Sequence, residues 1–342
     1  MSILRYFLFP FSLIYGLITR VRNSLFEANI FGSKEHSVKT IAIGNLSLGG
    51  TGKSPVTLYL KAILSEKFKL AILSRGYGRK SKGFKWVESD SLADEVGDEP
   101  LMFKTIVGEK IPVAVCEDRN SGVEKIQLTY PKTDVILLDD AFQHRKIKAG
   151  FSILLTTFDN PFFQDFVVPA GRLRENRSGA KRADVFLVTK CPDLFSIAQK
   201  NDFQRQLEKY SKPVFFSRVK YGELVSFTIE ASKINNVFVV AGIANPKDMI
   251  ECLANSYRVE SFIFSDHHQY TRAEITKIHQ KFDTFAPEET AIVTTQKDYM
   301  RLKEKIDEWG LRKYPWYILP ITVEIENEKE FNKLIVDYVG KN

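Results

Sequence analysis

Cysteine, histidine and long uninterrupted apolar runs are scarce in this chain of 342 residues. The three cysteines, Cys116, Cys191 and Cys252, lie far apart, so their spacing favours neither a disulfide framework nor a zinc site, and it suits a reducing compartment. Internal repeats and low-complexity tracts are also lacking. Because 44% of the residues are hydrophobic and 27% are charged, the composition is that of a globular protein, and the length allows two domains.

Acidic residues are outnumbered by basic ones, which gives the chain a net charge of +7. An excess of this sign favours anionic partners such as nucleic acid, a phosphorylated substrate or an anionic membrane face. The sequence contains no recognisable nucleic-acid-binding module, and its aromatic residues are not interleaved with a basic stripe. We therefore expect no nucleic-acid partner.

Residues 1–31 form a segment that is rich in Phe, Leu, Ile and Tyr. Charged, small and helix-breaking residues interrupt it: Arg5, Pro10, Ser12, Gly16 and Arg20. The charge-free stretch from Tyr6 to Thr19 is shorter than the roughly 20 apolar residues of a spanning helix, and no small-residue signal cleavage site is obvious before Asn29. Three alternatives remain open: a helix packed on the core, a helix lying in a membrane interface with its arginines near lipid headgroups, and a membrane span.

The stretch from Ile41 to Pro55, IAIGNLSLGGTGKSP, predicts a phosphate-binding loop between a strand and a helix. Its glycines let the N–H groups of the loop point at phosphate oxygens, and the following helix adds the positive end of its dipole. Lys53 can reach the outer phosphates, and the Ser54 hydroxyl can hold Mg²⁺. The residues expected to bind the nucleotide are Ser47, Leu48, Gly49, Gly50, Thr51, Gly52, Lys53 and Ser54.

Ser47 stands where the general motif G-x-x-x-x-G-K-[ST] has its first glycine. The alternative interpretation is therefore a glycine-rich turn that carries Gly-Lys-Ser by chance. The apolar run before the loop and the helical pattern after it favour the phosphate loop, because both belong to the structural context that such a loop requires.

Residues 134–140 have the form of a Walker B strand, in which four consecutive large aliphatic residues are followed by Asp139 and Asp140. Such a run is typical of a strand buried on both faces of a parallel sheet, and its acids emerge at the carboxyl end beside the phosphate loop. There they can bind Mg²⁺ directly or through water. A separate acidic cluster at 94–100 precedes a helical run, and it indicates either helix capping or a general base or metal ligand.

Alternating strand-like and helical segments predict an α/β fold with parallel sheets. We expect a P-loop NTPase-like parallel-sheet domain at 32–225 and a smaller α/β domain at 226–342, with connector strands near 213–235. The smaller domain contains the run Asp266-His267-His268. One of these histidines can assist an acid or base across a domain cleft, and the alternative is a pair of surface-loop histidines.

A series of motifs lies in order along nearly the whole chain: GNLSLGGTGKSP (44–55), SRGYGR (74–79), GDEPLMF (97–103), LLDDAFQHR (137–145), PAGRLRE (169–175), AGIANP (241–246), SDHH (265–268) and TTQKD (294–298). Together they resemble the tetraacyldisaccharide 4'-kinase family, the lipid A kinases of Gram-negative bacteria. The phosphate loop of that family also lacks the first Walker glycine, so Ser47 departs from the general motif and not from the family pattern.

The resemblance implies an enzyme that uses ATP and Mg²⁺ to phosphorylate the 4'-hydroxyl of a tetraacyldisaccharide 1-phosphate, which forms the 1,4'-bisphosphate in lipid A biosynthesis. It also implies that residues 1–31 form a helix seated in the cytoplasmic face of the bacterial inner membrane. The expected partners are the acylated disaccharide lipid and the membrane surface, with no obligate protein partner. The alternative is a P-loop ATPase that drives a membrane-associated protein partner and makes no phosphorylated small product.

The resemblance further implies roles for single residues. Asp98 is the expected catalytic base, aided by a histidine of SDHH, for which we favour His267 over His268. Lys53 is expected to act in catalysis as a phosphate counter-charge. Two acids are expected to join Ser54 at Mg²⁺: Asp139 and Asp140. Three residues are expected to contact the substrate: Arg119, Arg174 and Glu175.

Overall fold

The computed structural model describes residues 3–285 and 287–341, which fold into two sheets flanked by helices. The strands are β1 (Lys39–Asn45), β2 (Leu70–Ser74), β3 (Lys85–Trp86), β4 (Val113–Val115), β5 (Val135–Asp139), β6 (Phe151–Thr157), β7 (Val185–Thr189), β8 (Val214–Tyr221), β9 (Val225–Ser226), β10 (Asn236–Ala241), β11 (Arg258–Ile263), β12 (Thr290–Thr295), β13 (Trp316–Leu319) and β14 (Ile321–Ile325). The α-helices are α1 (Ile3–Glu27), α2 (Lys53–Ser65), α3 (Ala93–Val96), α4 (Asp98–Val107), α5 (Arg119–Thr129), α6 (Ile197–Glu208), α7 (Lys247–Ala254), α8 (Arg272–Phe282), α9 (Gln296–Leu302) and α10 (Glu328–Gly340).

The larger sheet contains nine strands in the order β14-β8-β7-β6-β1-β5-β2-β4-β3, and the smaller sheet contains five in the order β11-β10-β12-β13-β9. Pairing is parallel throughout the interior of both sheets. Antiparallel pairing is confined to the outer strands β3, β14 and β9. The predicted α/β fold with a P-loop NTPase-like parallel sheet is confirmed.

The centre of the larger sheet positions the phosphate loop beside the Walker B acids. Strands β1 and β5 pair in parallel with Ile43 opposite Asp139, and all residues of β5 are buried. Helix α2 covers one face of these strands through buried apolar residues such as Val56 and Leu60. Because parallel strands end at the same edge, the loop after Asn45 and the acids after β5 meet there.

The C-terminal end of the smaller domain differs from the boundary expected from the sequence. Strand β14 pairs with β8 and so joins the larger sheet. Helix α10 then buries Phe331 and Ile335 in the core of that sheet. The strands of the smaller sheet lie within 225–319, whereas residues 321–340 return to the larger sheet. Strand and helix alternate in the same way in both sheets, so the local pattern does not reveal which sheet a segment joins.

Helix α1 turns its polar side toward the rest of the protein and its apolar side away from it. Ser12, Thr19 and Asn23 are buried, and the Ser12 Oγ atom accepts a hydrogen bond from the backbone N–H of Ala170 at 2.8 Å. Apolar residues of the opposite side are more than half exposed: Phe7, Phe11, Leu13, Ile14, Leu17, Ile18 and Val21. Among residues 3–285 and 287–341, no helix has the length and apolar character needed to cross a membrane.

Candidate active site

The phosphate loop presents an exposed, glycine-rich backbone at the carboxyl edge of the larger sheet. Leu48, Gly49 and Gly50 are exposed to solvent, so the backbone of the two glycines is accessible to a ligand. The φ angles of Gly49 and Gly52 are 102° and 85°, and residues with a side chain adopt this region only with strain. The sequence therefore needs glycine at these two positions to shape the loop.

Two neighbouring segments hold the ends of this loop in place. At its start, Ser47 forms a bridge with the backbone of Leu173, and the backbone N–H of Leu48 donates to Arg172 at 2.7 Å. At its end, the Thr189 hydroxyl donates to the carbonyl oxygen of the buried residue Thr51 at 2.8 Å. The loop is thus fastened to the strand edge before any ligand binds.

Lys53 and Ser54 point toward the acids of the site. The Lys53 Nζ atom lies 3.4 Å from Asn45 Oδ1 and 3.6 Å from Asp140 Oδ1. The Ser54 hydroxyl donates to Glu99 Oε1 at 3.0 Å. Both residues begin α2, where the positive end of the helix dipole also favours anions.

Asp139 is a buried acid surrounded by hydroxyl groups and other acids. Thr57 donates to its Oδ1 at 3.3 Å and Ser74 donates to its Oδ2 at 3.1 Å. Burial, together with the negative charges of Glu99 and Asp140, raises the pKa of Asp139 to about 7. A cation bound here would therefore relieve an unfavourable concentration of negative charge.

Asp140 lies in a different electrostatic environment from its neighbour in sequence. Its carboxylate contacts Lys53 at 3.6 Å and Arg174 at 3.2 Å. Burial alone would raise the pKa of Asp140, but these two cations outweigh it, so the pKa is lowered. Asp140 therefore remains ionised, and its negative charge reduces the repulsion between Lys53 and Arg174.

Asp98 begins α4 and pairs with residues from the smaller sheet. Its Oδ2 atom lies 3.1 Å from His267 Nδ1 and accepts a hydrogen bond from Arg301, while its Oδ1 atom accepts the backbone N–H of Glu99 at 3.0 Å. Burial raises the pKa of Asp98, but the hydrogen bond from His267 and the charges of Arg301 and Lys297 outweigh it. The pKa of this carboxyl is therefore well below its usual range.

His267 and His268 point in different directions, although they are adjacent in sequence. The hydrogen bond to Asp98 raises the pKa of His267, and burial only partly opposes this effect. His268 instead contacts Glu274 at 3.1 Å. His267 also packs against Tyr77, with 5.5 Å between the ring centroids. The structure thus brings Asp98 together with His267 and not with His268.

The three residues expected to contact the substrate differ in accessibility. Arg119 is 2% exposed and donates to the backbone carbonyl of Asp139 at 3.2 Å. Glu175 is 3% exposed and pairs with Arg182 at 2.7 Å. The side chain of Arg174 is 28% exposed. Of the three, Arg174 presents the most accessible charge, whereas Arg119 and Glu175 are held by neighbouring residues.

A basic cleft of about 1270 Å³ lies between the C-terminal half of α1 and the carboxyl ends of β2, β4 and β5. Its cationic and titratable lining includes Arg22, Arg75, Arg119, His144, Arg145 and Lys146. Burial lowers the pKa of His144 to about 4, and the charges of Arg119 and Arg75 add to the effect. The arginines and lysines therefore supply the positive charge of the cleft, with His144 neutral at pH 7.

Several contacts at the site were not assigned from the sequence. Thr57 and Ser74 hold Asp139, while Lys297 and Arg301 hold the acids that begin α4. Lys297 lies in the TTQKD motif, and Arg301 follows it by four residues, so both lie on one face of a helix. The four-residue spacing could have indicated that these two cations act together. It does not indicate which acids they contact.

Comparisons with known proteins agree with the motif pattern and the fold. A family model described as Tetraacyldisaccharide-1-P 4'-kinase matches residues 4–340. A relative from Flavobacterium psychrophilum named tetraacyldisaccharide 4'-kinase is 42% identical, over 99% of this chain and 98% of the relative. A relative of the same name from Bacteroides fragilis is 39% identical, over 98% and 93%.

A solved structure shares the fold along almost its full length. It is a crystal structure of LpxK from Aquifex aeolicus in complex with ATP, and it matches with a TM-score of 0.75 and 28% identity. The match covers 98% of this chain and 100% of the other. Since the family match, the relatives and the fold all agree over nearly the whole length, the chain belongs to the tetraacyldisaccharide-1-P 4'-kinase family.

Proposed function

We propose that this kinase transfers the γ-phosphate of ATP to the 4'-hydroxyl of a tetraacyldisaccharide 1-phosphate where the phosphate loop meets the Asp98–His267 pair. One series of contacts carries the proposal. Ser54 donates to Glu99, and the adjacent residue Asp98 pairs with His267. A phosphate-binding group and a proton-accepting group are therefore neighbours. The ATP complex of the Aquifex aeolicus relative supports ATP as the donor.

The phosphate loop supplies part of the positive charge that the reaction requires. Phosphoryl transfer depends on positioning and on neutralising the charge of the phosphates. The exposed backbone of Gly49 and Gly50 lies in the loop, and Lys53 stands at the start of α2. On ATP binding, Lys53 would exchange its contact with Asp140 for the outer phosphates. Arg174 would then remain as the cationic partner of Asp140 beside the phosphates.

The acids next to this loop fit Mg²⁺. Ser54, Asp139 and Asp140 offer the hard oxygen donors that this ion prefers. The raised pKa of Asp139 supports a cation at this place. Within the part of the chain that the structure describes, no group of three or more His, Cys, Asp or Glu side chains is arranged to hold a metal ion. When bound, Mg²⁺ would neutralise charge on the phosphates.

The Asp98–His267 pair would remove the proton from the acceptor hydroxyl. Asp98 is the base in this proposal, and His267 shares the proton across their 3.1 Å contact. The raised pKa of His267 suits it to hold a proton near neutral pH. General base catalysis requires such a group within hydrogen-bond reach of the hydroxyl.

We also propose that α1 lies in the interface of the cytoplasmic face of the inner membrane. Its buried polar side is occupied by contacts with the protein, such as Ser12 with Ala170, so only its apolar side is available to lipid. Arg5, Arg20 and Arg22 are exposed and can meet anionic headgroups. The basic cleft beside this helix offers cations to the anionic end of an acylated disaccharide.

Labelled ATP, Mg²⁺ and a tetraacyldisaccharide 1-phosphate in detergent test the reaction. We expect a bis-phosphorylated lipid, and we expect Lys53→Ala to lower kcat by on the order of 10²–10³ because a phosphate counter-charge is lost. Wild-type turnover in a folded Lys53→Ala variant would remove the phosphate loop from the mechanism. ATP hydrolysis without any phosphorylated lipid, stimulated by a membrane protein, would favour the ATPase alternative.

Vesicle flotation with anionic lipids tests the membrane proposal. Leu17→Glu changes a residue on the apolar side of α1 that is 62% exposed, and we expect it to reduce vesicle binding. Leu128→Glu is the matched control, because Leu128 is 82% exposed on α5. Equal vesicle binding by the wild type and Leu17→Glu, or equal losses in both variants, would contradict an interfacial α1.

A further inference from the structure

Helix α9, which follows a strand of the smaller sheet, places two cations against two consecutive acids at the start of α4. Lys297 and Arg301 are four residues apart and share a helix face. Lys297 contacts Glu99, and Arg301 contacts Asp98. The TTQKD motif therefore leads directly into the candidate active site.

One end of the Arg301 guanidinium group is fixed by hydrogen bonds within the smaller domain. Its side chain is 2% exposed, and its Nη1 atom donates to Asp298 Oδ1 at 2.8 Å and to the carbonyl oxygen of Gly242 at 3.3 Å. Asp298 is fully buried and accepts hydrogen bonds from Gly242 N–H at 3.1 Å and from the Thr295 hydroxyl at 2.7 Å. These contacts fix the plane of the guanidinium group.

The other end of the same guanidinium group holds the proposed base. Its Nη2 atom donates to Asp98 Oδ2 and lies 3.2 Å from His267 Nδ1. The remaining oxygen of Asp98 accepts the backbone N–H of Glu99 at 3.0 Å. The carboxylate is therefore held at both oxygens, and the planar guanidinium group bridges Asp98 and Asp298, which a single ammonium cannot do with the same geometry.

We propose that Arg301 is a positioning residue for phosphoryl transfer, which orients Asp98 and His267 from the smaller sheet so that the base is complete only when α9 is seated on α4. This inference rests on the proposed role of Asp98 and His267 as the base. It assigns a function to the helix that follows the TTQKD motif. It also makes the reactivity of the larger domain depend on a side chain that the smaller domain supplies.

Charged groups from three elements face the Asp98–His267 pair. They are Glu99 on α4, His267 and Asp266 in the loop after β11, and Lys297 and Arg301 on α9. The charge of Arg301 lowers the pKa of both Asp98 and His267. Its removal should therefore raise the pKa of the base pair and move the acid limb of the kcat profile to higher pH.

The test compares full-length Arg301→Met and Arg301→Lys with the wild type, using saturating ATP, Mg²⁺ and lipid acceptor. We expect Arg301→Met to lower kcat by on the order of 10–10² because the base is misplaced, to leave the Kd for ATP within about twofold, and to move the acid limb upward. We expect Arg301→Lys to recover the position of the acid limb but to stay about 3 to 10-fold below wild type in kcat, because lysine cannot bridge both acids.

Arg312→Met is the matched control, since Arg312 forms an exposed ion pair with Asp307 in the smaller domain. It should keep wild-type kcat and pH profile. A folded Arg301→Met variant with wild-type kcat and acid limb would overturn the inference, and so would a variant that loses only thermal stability. If Arg301→Met gives no cooperative thermal transition, it is not folded, and the test then depends on the kcat of Arg301→Lys. Wild-type kcat in Arg301→Lys would overturn the inference.

Asp98→Asn separates this inference from the proposed function on which it rests. If Asp98→Asn is inactive while Arg301→Met is fully active, the base stands and the positioning role of Arg301 fails. If Asp98→Asn keeps wild-type kcat, the proposed base itself is wrong. Loss of activity in both variants, with an upward shift of the acid limb in Arg301→Met, supports both assignments.

Discussion

The pockets around Asp98 and Asp139 contain the same type of residue at the same edge of one sheet, yet their electrostatic character is opposite. Both carboxyls are buried, with 7% and 1% exposure. Cations surround Asp98 and lower its pKa, whereas burial and neighbouring acids raise the pKa of Asp139 to about 7. Burial alone therefore does not set the charge of an acid, because the partners decide whether its ionised form is stabilised.

This difference separates two tasks within one active site. The Asp98 pocket is electrostatically complete, since its carboxylate already has cationic partners, and it suits an oriented base. The Asp139 pocket is incomplete, since its negative charges face each other, and it suits a cation that arrives with the nucleotide. Exchanging either acid for its amide should therefore have different consequences for activity and for stability.

The largest expected effect comes from Asp98→Asn. We expect kcat to fall by on the order of 10²–10⁴ if the residue is the general base, with little change in the Kd for ATP. The variant should also unfold more easily, by about 1–3 kcal/mol, because Arg301 loses a buried ionic partner. Single-turnover kinetics and urea denaturation measure the two effects. A main loss of ATP·Mg²⁺ binding would instead make Asp98 a metal or structural residue.

Asp139→Asn should give a smaller loss of activity and the opposite change in stability. We expect the concentration of Mg²⁺ needed for half-maximal activity to rise by about 10 to 100-fold, as for a weakened metal shell. Without nucleotide, the variant should be at least as stable as the wild type at neutral pH, because one buried charge is removed from a cluster of acids. A loss of stability equal to that of Asp98→Asn would break the contrast between the pockets.

The smallest expected effect is a pH dependence carried by His267. Its pKa is raised in the folded state, so its protonation stabilises the fold fully below its unfolded pKa of about 6.5. That contribution is lost as the pH rises through the folded pKa. In Asp98→Asn the pKa of His267 should fall toward its ordinary value, and NMR titration of the ring measures it. An unchanged titration would show that Asp98 does not set the pKa of His267.

Local patterns predicted the features that depend on neighbouring residues. The phosphate loop follows from glycines that tolerate positive φ angles and from a Lys-Ser pair at the start of a helix. The Walker B acids follow from an apolar run that is buried on both faces of the sheet. Because β1 and β5 run parallel, the phosphate loop and the Walker B acids lie at the same edge of the sheet.

Features that depend on residues far apart in the sequence could not be predicted from such local patterns. Sheet membership of β14 depends on its pairing with β8, about a hundred residues earlier. The sequence left three alternatives for α1, because a list of apolar residues does not show which helix face the protein covers. In the structure the polar face is buried, because Ser12 and Asn23 form hydrogen bonds with Ala170 and Glu175.

By itself, the sequence determined the strand-helix alternation, the phosphate loop, the pair of acids after β5 and the resemblance to a kinase family. Tertiary structure alone decided that His267 and not its neighbour faces Asp98, and that Arg301 completes the contact from 203 residues away. The physical reason is that spacing along a chain specifies which side chains share a helix face or a strand edge. The partner of a buried charge is instead chosen by how the two sheets pack against each other.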